Sequence, residues 1–570
     1  FYHLKIMKIY KINKYSLPAV YLCTALFIKQ MIFLFYNSTD SPDFIKYFEY
    51  FEFNAGIKQN LFSEQGFMYY DIQSFYFHFS NYPLSEENFY IYLSKSIQEV
   101  NFILFLIGSL GIYFLLRLYE FGHKESMISL ILLNFFPLSF VQIMVLKPEI
   151  LAFALLPWII LNLEIYIQKN KILNIIFSVP LTASILNLKG SITAMVLSFL
   201  IVFYFLPILK RLKTNKKNTF VVAMLFVVSF FGIYMENGRQ NNKYLFDFFN
   251  TTQSSQYSDE VKLIWESDIE KYNNKAPINI MYSIDLENLI FYPYKNVHNE
   301  SGLSITFLDT FGDYFDLYWN NDSSGFAKNR SEIIKFIKTE NIKSPNINFD
   351  QLKLNVYVQN DFDPYPRKVV SLILSLIFYL TIFFQALKYK KIRKYLILPL
   401  LGYVILITHS VSGIPSNNFD LLSGDTLKPF YYSFFLLISF SFSVAVFVQN
   451  YKFKRYILIF FIPLVLISIG FPKDLSLYEA SVTNLVNNYS SFCEINNFIF
   501  DITPTSSCDS TNLSISVYKN YEKFNQFNNL NIKFINVVMI FLSISSILVS
   551  MNTISRSQKN FVFRRENIKN

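Results

Sequence analysis

The chain has 570 residues, of which 52% are hydrophobic, 19% aromatic and 16% charged, with a mean hydropathy of +0.29. That is too apolar and too poor in charge for an ordinary water-soluble domain. The formal charge of +10 invites a nucleic-acid partner, but the way the cations are spread argues against one.

Apolar runs near or beyond the ~18–20 residues that cross a bilayer recur along the whole chain. They fall at 17–36, 99–117, 126–145, 150–167, 172–188, 191–209, 219–235, 368–387, 395–410, 429–449, 456–471 and 533–551. They predict an all-α polytopic membrane protein with about 12 transmembrane helices. Lys and Arg gather in every second connection: Lys5 to Lys14, Arg117 with Lys124, "QKNK", "KRLKTNKKN", "KYKKIRK", "YKFKR" and the tail from Arg556 to Lys569. Positive loops stay cytoplasmic, so both termini are expected inside and the alternate loops outside. The first span reads as a retained anchor rather than a cleaved signal, and with Phe1 at the head the alternatives are a true N-terminus that lies upstream or a start at Met7. Cys23 falls within that span and reads as a small apolar residue.

Behind the first span comes "NSTDSPDFIKYFEYFEF". Ser41 suits an N-cap, Pro42 the first helical position, and Asp43 the first turn, where it complements the helix dipole. Phe44, Tyr47, Phe48 and Phe51 recur at i, i+3, i+4 and i+7, which predicts an amphipathic helix lying on the outer membrane surface with Lys46, Glu49 and Glu52 turned away. Asp40, just ahead of the cap, has no such local explanation.

The organisation that follows is an N-terminal seven-span module over 1–235 with a first outer loop at 37–98. Next is an extracytoplasmic loop domain over 236–367, expected to be mixed α/β, and then a five-span module over 368–570 with an outer loop at 472–532. The 236–367 loop is acidic, with 19 Asp and Glu against 13 Lys and Arg. Cys493 and Cys508 share the later outer loop and are expected to form a disulfide if that side is oxidising.

Lysines on the outer side stand out against the positive-inside rule. Lys147 ("VLKPEI"), Lys189 ("LNLKGS") and Lys428 ("GDTLKPFYY") each sit at the outer end of a span, with Lys29 a weaker fourth. Cations kept at that depth match lipid phosphates; snorkelling to head groups is the alternative. On the same face lie Asp40, Glu149, His409 and Asp425, and in the large loop Asp309, Asp313 and Asp316 of "LDTFGDYFDLYW". A carboxylate there can act as a general base. Glu149 reads first as an ion-pair partner of Lys147, and the loop aspartates as a solvated turn around Gly312. Tyr314 and Trp319 fit either a small core or a sugar-stacking platform. No Walker A sequence, Gly-x-Ser-x-Gly elbow or His-Glu-x-x-His occurs. No cofactor is expected; an Asp pair with a divalent ion is the alternative left open.

The opening of the first outer loop resembles the GT-C superfamily of membrane glycosyltransferases, of the protein mannosyltransferase and aminoarabinose-transferase type. Asp40 followed four positions later by Phe44 is similar to that family's acid-and-aromatic spacing, "LKPE" and the seven-span first module are similar too, and "LDTFGDYFDLYW" resembles a "TFGDYW"-like segment. The chain departs from the family pattern in having no second acid directly after Asp40 and Phe where Tyr is usual. The resemblance implies transfer of a sugar from a polyprenyl phosphate or pyrophosphate carrier to a lipid, glycan or protein acceptor on the extracytoplasmic face. It casts Asp40, with Asp43 beside it, as catalytic acids, the lysines as phosphate ligands, and Glu149, Asp309, Asp313, Tyr314, Trp319, His409 and Asp425 as contacts to acceptor or sugar. A bacterial inner membrane is the expected setting. Two other classes compete: an O-antigen-type polymerase or ligase, which would lean on outer-loop arginines, and a transporter or flippase of lipid-linked sugars, which would show internal symmetry.

Overall fold

The computed structural model describes residues 16–35, 44–55, 66–80, 82, 89–212, 216–240, 284, 302–310, 365–412, 429–450 and 534–569. Among them there is no strand. Every apolar run of the sequence that falls there is helical; the run at 456–471 lies outside. Among the described residues six helices are long and apolar enough to cross a membrane, or up to eight if two bent pairs each count as one span, and two further apolar helices are shorter. The chain is a multi-pass membrane protein. The expected mixed α/β domain over 236–367 falls largely outside the described residues.

The helix at the centre of the bundle is α7 (Glu149–Lys169). It is apolar all round, and 94% of its apolar window is buried, against 17% for α1 (Ser16–Phe35), which turns most of its surface outward. Cys23 lies on that exposed face of α1 rather than packing inside the bundle. The closest neighbour of α7 is α4 (Phe89–Leu118), and the reason is glycine. A Cβ at Gly108 would stand 2.6 Å from the Phe153 ring and 2.7 Å from the Phe153 carbonyl, and one at Gly111 would stand 2.9 Å from Pro157. Small residues let two backbones approach where lipid offers no hydrophobic drive between helices. The Trp158 indole then donates to the Ile107 carbonyl at 3.0 Å.

The run expected to cross at 126–145 is broken. It comprises α5 (His123–Asn134) and α6 (Pro137–Met144), set 61° apart. Pro137 at the first helical position forces Phe136 into extended backbone (φ −71°, ψ 131°), which ends one helix and begins the next. Behind α7 come α8 (Ile172–Leu186) and α9 (Gly190–Leu200). The latter runs through a π-turn at Ile201–Phe205 into α10 (Leu206–Leu212), and α11 (Lys216–Gln240) follows.

The C-terminal half contributes α12 (Gly302–Thr310), α13 (Tyr365–Ala386), α14 (Leu398–Ser412), α15 (Ser433–Asn450) and α16 (Phe534–Lys569). Between α13 and α14 the chain turns through 108° at the basic elbow 387–396. This elbow is tied to the first module at one buried acid. Glu164 of α7 receives the Lys394 ammonium, the Tyr204 hydroxyl at 2.7 Å and the Tyr395 hydroxyl at 3.1 Å. Tyr119 completes the group through its hydroxyl contact of 2.8 Å with Tyr395. Tyr204 reaches inward from the π-turn, the helix form in which an extra residue is fitted into a single turn.

The amphipathic helix expected behind the first span exists as α2 (Phe44–Asn54), but it does not lie on the bundle with one face free. Tyr47, Tyr50, Phe51, Glu52, Phe53 and Asn54 are all buried, so Glu52 does not face away as the period implied. The physical reason is a helix the aromatic pattern concealed, α3 (Met68–Phe79), packed over its other side. The Tyr70 ring stacks on Tyr50 at 3.9 Å and on Tyr47 at 5.8 Å. Asp71 of α3 accepts from Asn54 at 2.9 Å and from Asn536 of α16 at 2.5 Å, joining the segment between α1 and α4 to the last described helix.

Candidate functional site

The site is built at the N-terminal end of α7. The chain leaves α6 in extended backbone, passes Lys147 and Pro148, and re-enters helix at Glu149. Asn101 of α4 fixes this link: its amide donates to the Val145 carbonyl at 2.8 Å and the Ile143 carbonyl at 3.2 Å. These are carbonyls that the end of α6 leaves without helical partners. The Asn101 oxygen in turn accepts from the Tyr69 hydroxyl at 2.9 Å and from Gln73 at 2.8 Å, so α3 is held to the same point. Burial, only partly offset by those bonds, pushes the Tyr69 phenol well above the ordinary tyrosine range.

Lys147 is 2% exposed. Among the described residues its ammonium lies over the rings of Tyr431 at 5.2 Å, Phe430 at 5.7 Å and Tyr47 at 5.8 Å. Lys189 approaches from the connection between α8 and α9, where the Gly66 amide donates to the neighbouring Leu188 carbonyl at 3.0 Å. Its ammonium lies over the same Tyr431 ring at 4.5 Å and meets Glu149 Oε1 at 3.0 Å. The carboxylate expected to pair with Lys147 therefore goes to Lys189. Glu149 Oε2 is buried and has no hydrogen-bond partner among the described residues. Burial would pull the Lys189 proton affinity down. Glu149, helped by Tyr47 and Tyr431, outweighs it and holds the ammonium above the ordinary lysine range.

Tyr431 belongs to a 3-10 turn, Pro429–Tyr432, that leads into α15. The turn is anchored on three sides. A Cβ at Gly402 would stand 2.6 Å from Tyr432, Gln142 of α6 donates to the Ser433 hydroxyl at 2.5 Å, and α12 of the large loop packs against the turn. Two cations, one carboxylate and the positive ends of α7 and α9 thus meet beside an aromatic wall. Such a centre is suited to an anion with room for a hydrogen-bond donor at Glu149.

Of the residues singled out in the sequence, Lys147, Lys189 and Glu149 are brought together. Lys29 is not with them; it pairs with Glu99 at 3.1 Å, beside the Tyr76 and Tyr82 hydroxyls at 2.7 and 2.8 Å from the same carboxylate. Asp309 lies in α12 and His409 in α14, with the backbone alone described. Asp40, Asp43, Asp313, Tyr314, Trp319, Asp425, Lys428, Cys493 and Cys508 lie outside the described residues. Sequence reasoning missed Asn101, Tyr69, Gln73 and Tyr431. A polar side chain inside an apolar span was the available signal for Asn101. Nothing local marks Tyr431 out in a chain with 40 tyrosines.

Residues 93–234, from α4 through most of α11, match the model of the dolichyl-phosphate-mannose-protein mannosyltransferase family. The matched segment holds Lys147, Glu149 and Lys189, while Tyr47 and Tyr431 lie outside it. No curated protein and no solved structure matches the chain.

Proposed function

We propose that the chain transfers a sugar from a polyprenyl-phosphate carrier to an acceptor on the extracytoplasmic face of the membrane. The observation that carries this reading is the convergence of Lys147 and Lys189, from two separate helix connections, on one ring at 5.2 and 4.5 Å. A lipid-linked donor presents its phosphate at head-group depth, where the positive-inside pattern puts this end of α7. The acceptor oxygen attacks the anomeric carbon, the bond from that carbon to the phosphate oxygen breaks, and the carrier leaves as a phosphate monoester. Lys147 and Lys189 stabilise the negative charge that develops on the departing oxygen, and Lys428 is a third candidate for that role. Asp40, with Asp43 next to it, takes the acceptor proton. A single displacement of this kind inverts the anomeric configuration. The loop over 236–367 closes over the acceptor, with Asp309, Asp313, Tyr314 and Trp319 as its contacts, and His409 and Asp425 approach from the second module. Cys493 and Cys508 staple the later outer loop.

The test is transfer by purified full-length protein in liposomes, with a panel of polyprenyl-phosphate sugars as donors. Asp40→Asn should lower turnover by on the order of 10³-fold with folding intact. Lys147→Ala and Lys189→Ala should each lower the dependence on donor by on the order of 10²-fold. Unchanged donor dependence in both lysine variants would remove the phosphate assignment, and normal turnover in Asp40→Asn would remove the base.

A further inference from the structure

We propose that Tyr431 is a positioning residue whose ring, rather than its hydroxyl, aims Lys147 and Lys189 at a single anion. The inference rests on the carrier-phosphate reading above and concerns how that site is held ready.

Two ammonium groups at 5.2 and 4.5 Å from one ring centre lie within about 10 Å of each other, and like charges at that range in a buried setting repel. Glu149 meets Lys189 at 3.0 Å. Both ammoniums also lie over the face of Tyr431, which attracts cations through its quadrupole and so offsets part of that repulsion. The hydroxyl of Tyr431 makes no hydrogen bond among the described residues, whereas Tyr69, Tyr76, Tyr82, Tyr119, Tyr204 and Tyr395 each use theirs. The ring is held in place by its turn: Tyr432 seats against Gly402, and the Ser433 hydroxyl, bonded by Gln142, donates back to the Phe430 carbonyl at 2.5 Å. The surface is therefore preset, and its cation-facing side is what the site uses. Because the ring attracts each ammonium weakly, it offers little resistance when a phosphate oxygen draws the amines off it.

The experiment is equilibrium binding of farnesyl phosphate to the purified full-length chain in detergent, with farnesol as the uncharged control. Wild type and Tyr431→Phe should bind farnesyl phosphate within about twofold of each other, and Tyr431→Leu should bind about tenfold more weakly, with farnesol unaffected. If the Leu variant does not fold, Tyr431→Met supplies the same reach without a π face. Weak binding by Tyr431→Phe would make the hydroxyl the ligand and overturn the inference. Normal binding by the Leu or Met variant, while Lys147→Ala and Lys189→Ala bind weakly, would overturn it and leave the carrier reading standing. Normal binding by both lysine variants would sink the carrier reading itself.

Discussion

Glu149 meets Lys189 across 3.0 Å at the start of α7, with one carboxylate oxygen engaged and the other buried without a partner among the described residues. The pair sets the charge of the site at one net positive for Lys147, Lys189 and Glu149 together. Glu149→Ala leaves a largely buried ammonium without its carboxylate and should lower stability by about 3 kcal/mol, read from thermal unfolding in detergent. Glu149→Gln should cost less and, with the anion's competitor gone, bind farnesyl phosphate several-fold more tightly. Weaker binding in that variant would mean Glu149 contacts the ligand rather than restrains the lysine.

The same pair fixes a pH dependence. The folded-state affinity of Lys189 for its proton is raised above the ordinary value of 10.5. A cation with a raised folded value contributes stability that is complete below its unfolded value and fades as pH rises through the folded one. Between pH 6 and 9 the Lys189 charge should therefore stay constant, and phosphate binding should show no titration that disappears in Lys189→Met. A wild-type step in that range, absent from the Met variant, would contradict the assignment.

Asn101 holds the link on which Lys147 rides. Asn101→Leu keeps the volume but removes the donor to the Ile143 and Val145 carbonyls and the acceptor shared by the Tyr69 hydroxyl and the Gln73 amide, leaving Val145 only its bond from the Lys147 amide at 3.0 Å. Buried polar groups left unpaired cost about 1–3 kcal/mol each, less whatever water or local shifts recover. A loss of about 3 kcal/mol together with weaker phosphate binding is expected. A variant that melts normally and binds normally would show that the link is held elsewhere.

At the other end of the bundle, Glu164→Ala strands Lys394, whose side chain is 24% exposed, and takes the acceptor from Tyr204 and Tyr395. The expected loss is about 3 kcal/mol. Replacing both charges, as in Glu164→Leu with Lys394→Met, should recover most of it, because two apolar residues leave no charge uncompensated. Additive losses in a double-mutant cycle would argue that the pair is not coupled.

Gly108→Ala separates packing from propensity. Helix propensity alone favours alanine by about 1 kcal/mol. The added carbon would stand 2.6 Å from the Phe153 ring, which can swing, and 2.7 Å from the Phe153 carbonyl, which cannot. Net destabilisation by about 2 kcal/mol is expected in thermal unfolding. A stabilised variant would mean that α4 and α7 can separate at no cost.

That the apolar runs are helical was legible because apolar length is a one-dimensional property that survives without knowledge of neighbours, but of the twelve expected spans six to eight meet the length and composition of a crossing among the described residues. The break at Phe136 was legible in principle, since Pro137 stands in the sequence, but the apolar residues on both sides of it read together as one span. Helix α3 was missed for the opposite reason. Its Asp71, Gln73 and Ser74 are buried against partners elsewhere, so polar and apolar residues do not separate onto two faces. The same burial on both sides defeated the single-face reading of α2. Lys147 and Lys189 could be picked out singly, as cations on a side that should lack them. Which carboxylate they meet, and which ring they share, depends on residues 147, 149, 189 and 431 coming together, and no spacing along the chain records that.

The distribution of the site's parts along the polypeptide bears on how the protein is made. Both amines emerge early, and the ring that organises them is translated more than two hundred residues after Lys189. During synthesis the half-built bundle holds its cations with Tyr47 beside them but without the Tyr431 face, which joins them only when the Pro429–Tyr432 turn docks. On the proposed reading, donor binding therefore waits on insertion of the helices that follow the large loop.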